Sequence, residues 1–351
     1  MSDILKYKFK KSAKNITRGD VMRLIKFVLC FLSLTIILIY IFACFFDGVA
    51  LFADKSISAP VKEIMTVVAN TLEVPIFEIL AVALPIVLVL FLWRHKLSAM
   101  LALLLILAAS YAVNIGFPSL TEGKTVEVDV TAEDCERALR SVADKLNELS
   151  YANDSASVDY LEYAREYIKK ELNVELKNLP KIKGTAFPKL LERWGILGYF
   201  AFPTAEIIVC EAQPSFMLPF TAVHELMHYS GVMLEDEANL HAFKILVSSG
   251  TPCNEFSAYF AAFTHIGGLL ARLDADRYFE IYSALDDEVK ECFAERLDFL
   301  EKGQGRVKDA LENANNAAIT ARDERGAKSY SYTAHLLVNC ILDGNSNMLS
   351  E

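Results

Sequence analysis

The sequence predicts a mainly α protein: a three-helix transmembrane anchor followed by a mostly helical domain with a small β element. Three observations lead there. Apolar blocks of membrane-crossing length all lie before Pro118, a charged and helically periodic composition follows, and one short β-branched run, Ala205–Cys210, interrupts it. Of 351 residues 53% are hydrophobic and the mean hydropathy is +0.28, yet the formal net charge is −10, so two compositions share one chain.

Residues 1–26 form a basic N-terminus. Lys6, Lys8, Lys10, Lys11, Lys14, Arg18, Arg23 and Lys26 are opposed only by Asp3 and Asp20. The first span is expected over Phe27–Phe46, which carries no charge and is too long for the apolar core of a cleaved leader. A second is expected over Val74–Trp93, apolar except for Glu78, and a third over about Leu97–Ile115. The basic turn Arg94-His95-Lys96 between them belongs, like the N-terminus, on the cytoplasmic side. The chain then goes out, in and out again, which predicts a multi-pass cell-membrane protein with its domain, residues 119–351, outside the cytoplasm. The segment Asp47–Leu72 becomes an external loop lying along the interface. Glu78 is expected to reach water from the outer end of its helix, the other reading being a polar contact within the bundle or with the outer domain.

The acidic balance argues against nucleic acid and leaves the lipid bilayer as the first expected partner. Seven cysteines without a CxxC pair suggest buried hydrophobes, with at most one disulfide. In the outer domain, Thr131 is placed to cap a helix running to about Ser150, and Leu161, Ala164, Ile168 and Leu172 form one stripe of a helix from about Ser157. Ala205–Cys210, bounded by Pro203 and Pro214, is the strand candidate and is considered as an edge strand for an extended peptide. From Phe256 the pattern is helical again, with breaks near Gly303–Gly305 and Asp323–Gly326.

The chemistry is concentrated in Pro219–Gly231, which contains HExxH as His224, Glu225 and His228. Residues i and i+4 share a helix face, so both imidazoles can hold one Zn²⁺ while Glu225 leans toward a water on it. Thr221 as N-cap and Gly231 as C-terminal stop would give a helix of about two turns. A hydrolytic zinc site needs a third protein ligand. Glu235 is the preferred one, on a second helix from about Leu234 to Ser249, with Glu237 as the alternative. Asn239, four residues after Glu235, is expected to orient a histidine through its other ring nitrogen. Asp236 is read as a capping or solvent-facing acid and His241 as structural.

HELMH followed by EDEAN resembles the gluzincin pattern, HExxH with ExxxN or ExxxD on the next helix. More specifically, the chain resembles the bacterial family called domain of unknown function 3810, membrane proteins with an HExxH site. The matching pieces are VPIFEIL at Val74–Leu80, GYFAFPTAE at Gly198–Glu206, LPFTAVHELMHYSG at Leu218–Gly231, EDEANLHA at Glu235–Ala242, FSAYF at Phe256–Phe260, and Gly326 with Ser329-Tyr330. Leu240-His241 departs from the family's usual aromatic next to the Asn. The resemblance implies a three-span anchor carrying a zincin-like metallopeptidase domain, and supplies no substrate. Bound Zn²⁺ would activate a water whose proton Glu225 accepts, for attack on a peptide or protein substrate. For stabilising the oxyanion Tyr330 stands first, because it lies in a matching segment, ahead of Tyr259, His265 and His335. The rival reading is a catalytically silent zinc-binding sensor or scaffold. Glu225 separates the two, since a purely structural site has no use for it.

Overall fold

Helix-forming apolar runs, with charge confined to their first turns or flanks, produce three long helices in the N-terminal part of the chain. The computed structural model describes residues 18–121, 129–149, 160–303 and 329–347. The basic residues before 18, the expected helix start at Ser157, and the breaks at Gly305 and Asp323–Gly326 lie outside the described residues. Among the described residues three stretches are long and apolar enough to cross a membrane: Gly19–Ala43, Ile76–Trp93 and Leu97–Thr121. They expose large apolar side chains that a water-facing surface rarely presents in such density, among them Phe27, Phe31, Ile86, Val89 and Leu101.

The first span differs from its expected bounds. Helix α1, Arg18–Ala43, begins inside the basic stretch and stops before Phe46, because the chain turns at Cys44–Phe45 to start α2, Asp47–Ala53. Asp47–Leu72 is no surface loop either: after α2 come a π-helical turn, Asp54–Ser58, and α3, Ala59–Ala69. Helices α4, Ile76–Trp93, and α5, Leu97–Tyr111, form a hairpin at the Arg94–Lys96 turn. A second π-helical turn, Ala112–Gly116, carries α5 into α6, Phe117–Thr121, so the third span runs beyond Ile115. Lys26 Nζ donates to Ser98 Oγ at 2.8 Å, which sets the start of α1 beside that basic turn.

The domain is mostly helical. Helix α7, Ala132–Leu149, starts at Thr131, whose hydroxyl accepts the Asp134 N–H at 3.2 Å while Asp134 accepts the Thr131 N–H at 3.1 Å. Helix α8, Tyr160–Glu171, buries Ala164 and Ile168. Strand β1, Ile182–Gly184, precedes α9, Pro188–Trp194, then β2, Gly198–Ala201, and β3, Glu206–Val209. The sheet order is β1-β3-β2, with β1 parallel and β2 antiparallel to β3. This corrects the expected edge strand: β3 is central and buried on both faces, which suits its unbroken Ile207-Ile208-Val209 run, and β2 is an edge. Helices α10, Leu218–Ser230, α11, Glu235–Val247, α12, Pro252–Leu273, α13, Ala275–Ser283, α14, Asp287–Lys302, and α15, Ser329–Asn347, complete the fold around one large core. No disulfide links any of the seven cysteines.

Anchor and domain are joined by buried polar contacts. Glu78 is 5% exposed and accepts hydrogen bonds from the Thr185 hydroxyl, from Ala186 N–H at 2.8 Å and from Tyr199 Oη at 3.0 Å. It therefore grips the domain and does not reach water, because the β1–α9 connection lies over the start of α4. Beside it, Glu206 accepts the N–H groups of Ile76 and Phe77 at 2.9 and 2.8 Å and pairs with Lys183 at 2.7 Å. A β3 carboxylate thus caps the N-terminus of the second span. Burial works against the Glu206 charge, but Lys183, Thr204 and the two N–H groups outweigh it and hold the carboxyl below its ordinary value. On α3, Lys62 donates to the Tyr229 carbonyl at 2.9 Å, at the end of α10.

Candidate metal centre

Helix α10 has more than three turns, not two. Pro219 suits its first turn, where no intrahelical donor is needed, and the 3₁₀ turn Ser215–Met217 leads directly into it. Thr221 is consequently no cap: it lies inside the helix and donates to Gln213 Oε1 at 2.9 Å. An orphan donor of the first turn, Phe220 N–H, is satisfied by Ser257 Oγ of α12 at 3.1 Å. The other end is set by Gly231 at φ +109°, a left-handed conformation that strains any side chain. That turn delivers the Val232 carbonyl to His228 Nδ1 at 2.8 Å and brings the start of α11 back across the histidines.

Three ligand-capable atoms meet there. His224 Nε2 and His228 Nε2 are 3.1 Å apart, and Glu235 Oε2 lies 3.3 Å from the first and 3.7 Å from the second. Tetrahedral zinc with bonds of about 2.0–2.1 Å separates its ligand atoms by roughly 3.3 Å. The triangle fits such an ion. The Val232 carbonyl suits a proton on His228 Nδ1, so Nε2 is the ring atom that would present a lone pair to the triangle's centre once a cation replaces the proton there. Burial disfavours charge on His228, yet Glu235 and Glu225 prevail and raise its pKa to about 9. Burial likewise opposes the charge of Glu235, but the two imidazoles hold its carboxyl well below the ordinary value. This mutual stabilisation of opposite charges leaves a set of donors that a divalent cation would satisfy in place of protons.

Glu225 is buried and shares the cavity with the triangle. Burial pushes its carboxyl up, against the pull of both imidazoles and of the Phe200 N–H that faces it. Glu237 turns away, its Oε2 lying 3.8 Å from His241 Nε2, and His241 Nδ1 bonds the Tyr167 hydroxyl at 2.8 Å. Asp236 is fully buried and does not face solvent. Asn239 lines the cavity, but its amide donates to Thr333 Oγ1 at 3.2 Å, His228 is oriented by a carbonyl, and His224 Nδ1 is buried without a hydrogen-bond partner among the described residues. The expected Asn239–histidine bond is therefore not made; Thr333 of α15 competes for the amide.

The cavity, about 690 Å³, runs from the triangle along β2 and α12. Of the four oxyanion candidates His265 lies in its wall, while Tyr259 packs on Phe243 and His335 sits beside Tyr332. The side chain of Tyr330, on α15, lies outside the described residues. Burial, then Arg296 and His224, lower the His265 pKa to about 4, which keeps its imidazole neutral. Sequence reasoning missed three contributors. Gly198 of β2 presses on α10 so closely that a Cβ would stand 2.7 Å from Thr221 Cγ2, Ile115 reaches the cavity from the third span, and Arg296 comes from α14. Only Gly198, inside the quoted GYFAFPTAE piece, carried a local signal.

No curated protein and no solved structure matches the chain. Residues 54–338, which include the second and third spans, the sheet and every residue of the triangle, match the family model described as protein of unknown function DUF3810, and the chain belongs to that family.

Proposed function

We propose that the protein is a membrane-anchored, zinc-dependent peptidase. The observation that carries this reading is the tetrahedron-sized triangle of His224, His228 and Glu235 with the buried carboxylate of Glu225 beside it. Zn²⁺ bound there would polarise a carbonyl and lower the pKa of a water. Glu225 accepts that water's proton and passes it to the amine that leaves when the C–N bond breaks; its raised pKa suits a group that must release the proton again. Among the described residues the outer edge of β2 carries no strand, so its backbone can pair with an extended peptide laid across the cavity. His265, neutral and in the cavity wall, is the donor we assign to the developing oxyanion.

The fold supports an orientation as well. The basic turn Arg94–Lys96 and the start of α1 are side by side, whereas the domain packs on the opposite ends of α4 and α5. With the basic end cytoplasmic, the peptidase domain stands outside the cell membrane.

The test is elemental analysis of the full-length protein in mild detergent, beside hydrolysis of a peptide library. About one zinc per chain is expected, lost in His224→Ala and Glu235→Gln and retained in Glu237→Gln. Glu225→Gln should keep the metal and lose hydrolysis. Zinc without Glu225-dependent hydrolysis would instead make the chain a scaffold.

A further inference from the structure

We propose that the cavity is a carboxylate-reading site, in which Arg296 holds an anionic group of the bound peptide. The inference deepens the peptidase reading and rests on it for the peptide. Arg137, Arg140, Arg165 and Arg277 each have a carboxylate within ion-pair distance. Arg296 is half-buried in the cavity wall and has no such partner among the described residues; the titratable groups that interact with it are Tyr278 and His265.

Its position is built, not incidental. Ser257, Phe260, Ala261, Thr264 and His265 recur at helical spacing and form the cavity-facing stripe of α12. Phe293 of α14 stacks on Phe260 with ring centroids 4.4 Å apart, and Arg296 lies one turn further along α14. This clasp sets the guanidinium against the stripe. A guanidinium partly withdrawn from water and lacking a counter-charge is costly, and a carboxylate relieves that cost through two parallel N–H···O bonds. The acids of the cavity, Glu225 and Glu235, are engaged with the two histidines. Trp194, Leu197 and Met217 supply apolar walls, so the fitting ligand is an extended peptide with one carboxylate and apolar neighbours. That carboxylate comes from the peptide's C-terminus or from an Asp or Glu side chain.

The experiment uses full-length Glu225→Gln protein in detergent, with and without added zinc, so that peptides are bound and not consumed. Three pools of N-acetylated random tetrapeptides are offered: free C-terminal carboxylates, C-terminal amides with one fixed Glu, and the same amides with Gln. Retained peptides are counted by mass spectrometry after ultrafiltration. One acidic pool should be retained roughly tenfold or more over the Gln pool, the scale of a charged hydrogen bond, and which pool it is identifies the source. Arg296→Gln should abolish the excess and Arg296→Lys keep part of it, each variant first checked for unchanged melting. Equal or absent retention of all pools, or an excess that survives Arg296→Gln, overturns the proposal. If retention depends on Arg296 but the native protein hydrolyses nothing, the subsite stands and the peptidase reading fails. If hydrolysis shows no acidic preference, the reverse holds.

Discussion

Replacing Glu206 with Gln is expected to loosen the protein at the seam between sheet and second span. Lys183 and Glu206 have side-chain exposures of 2% and 0% and meet at 2.7 Å. Removing one charge leaves the ammonium buried with the Ala69 carbonyl at 2.7 Å as its main remaining partner. Breaking a buried pair in this way costs about 3–5 kcal/mol. Gln also lacks the charge that meets the positive end of α4, a further loss of up to ~1 kcal/mol. Lys183→Met should cost less, because Glu206 keeps both backbone donors. The double variant should recover at least ~1.5 kcal/mol relative to the sum of the singles. The folded Glu206 pKa is depressed, so its contribution is complete above the unfolded value of about 4.3 and is lost as pH falls through the folded pKa. The gap between native protein and Glu206→Gln should therefore narrow only below about pH 4.3. Unfolding followed by circular dichroism in mixed micelles reads all of this. A Glu206→Gln protein within ~1 kcal/mol of native, or strict additivity in the cycle, would refute the reasoning.

Gly198→Ala places a methyl 2.7 Å from Thr221 Cγ2, which should cost about 1–3 kcal/mol; Thr221→Ser, which removes that methyl and keeps the hydroxyl on Gln213, should restore most of it in a melting cycle. Gly231→Ala forces a side chain into the left-handed region and should cost about 1 kcal/mol or more while weakening metal retention on dialysis, because the same turn positions Val232 against His228. The Lys62 pKa is lowered to about 8 by burial, so the cost of its buried charge is felt below pH 8 and relieved between about pH 8 and the unfolded value near 10.4. Native protein should gain stability over Lys62→Met across that window; a pH-independent difference would count against the buried ammonium.

The sequence revealed the features that depend on local spacing. HExxH, the Gly231 stop, the acidic second helix and the three apolar blocks all follow from periods of a few residues. Glu235 is distinguishable from Glu237 once the N-terminus of α11 is fixed at Leu234, one residue of phase that propensity alone does not decide. What escaped was set by long-range packing. Glu78 looks like a solvent-reaching acid until the β1–α9 connection covers it. Arg296 looks like any helix arginine until Phe293 finds Phe260. Helix phase points Asn239 at a histidine, yet Thr333, 94 residues away in sequence, takes the amide.

The contacts between the segment from Lys62 to Glu78 and the domain also bear on biogenesis. Lys62 waits for Tyr229, 167 residues later, and Glu78 for Thr185, 107 residues later. The stretch from Lys62 to Glu78 therefore leaves a lysine and a carboxylate without these domain partners until the sheet and the HExxH helix have been made. Membrane insertion and domain folding become one coupled event, and the HExxH helix reaches its final packing only beside an inserted anchor. A fragment starting at Asp129 would keep the Lys183–Glu206 pair but leave Tyr229 without Lys62 and Thr66, and Thr185 without Glu78. Such a fragment should exchange its α10 amides far faster than the whole chain, so that the inserted anchor acts as the chaperone of the HExxH helix.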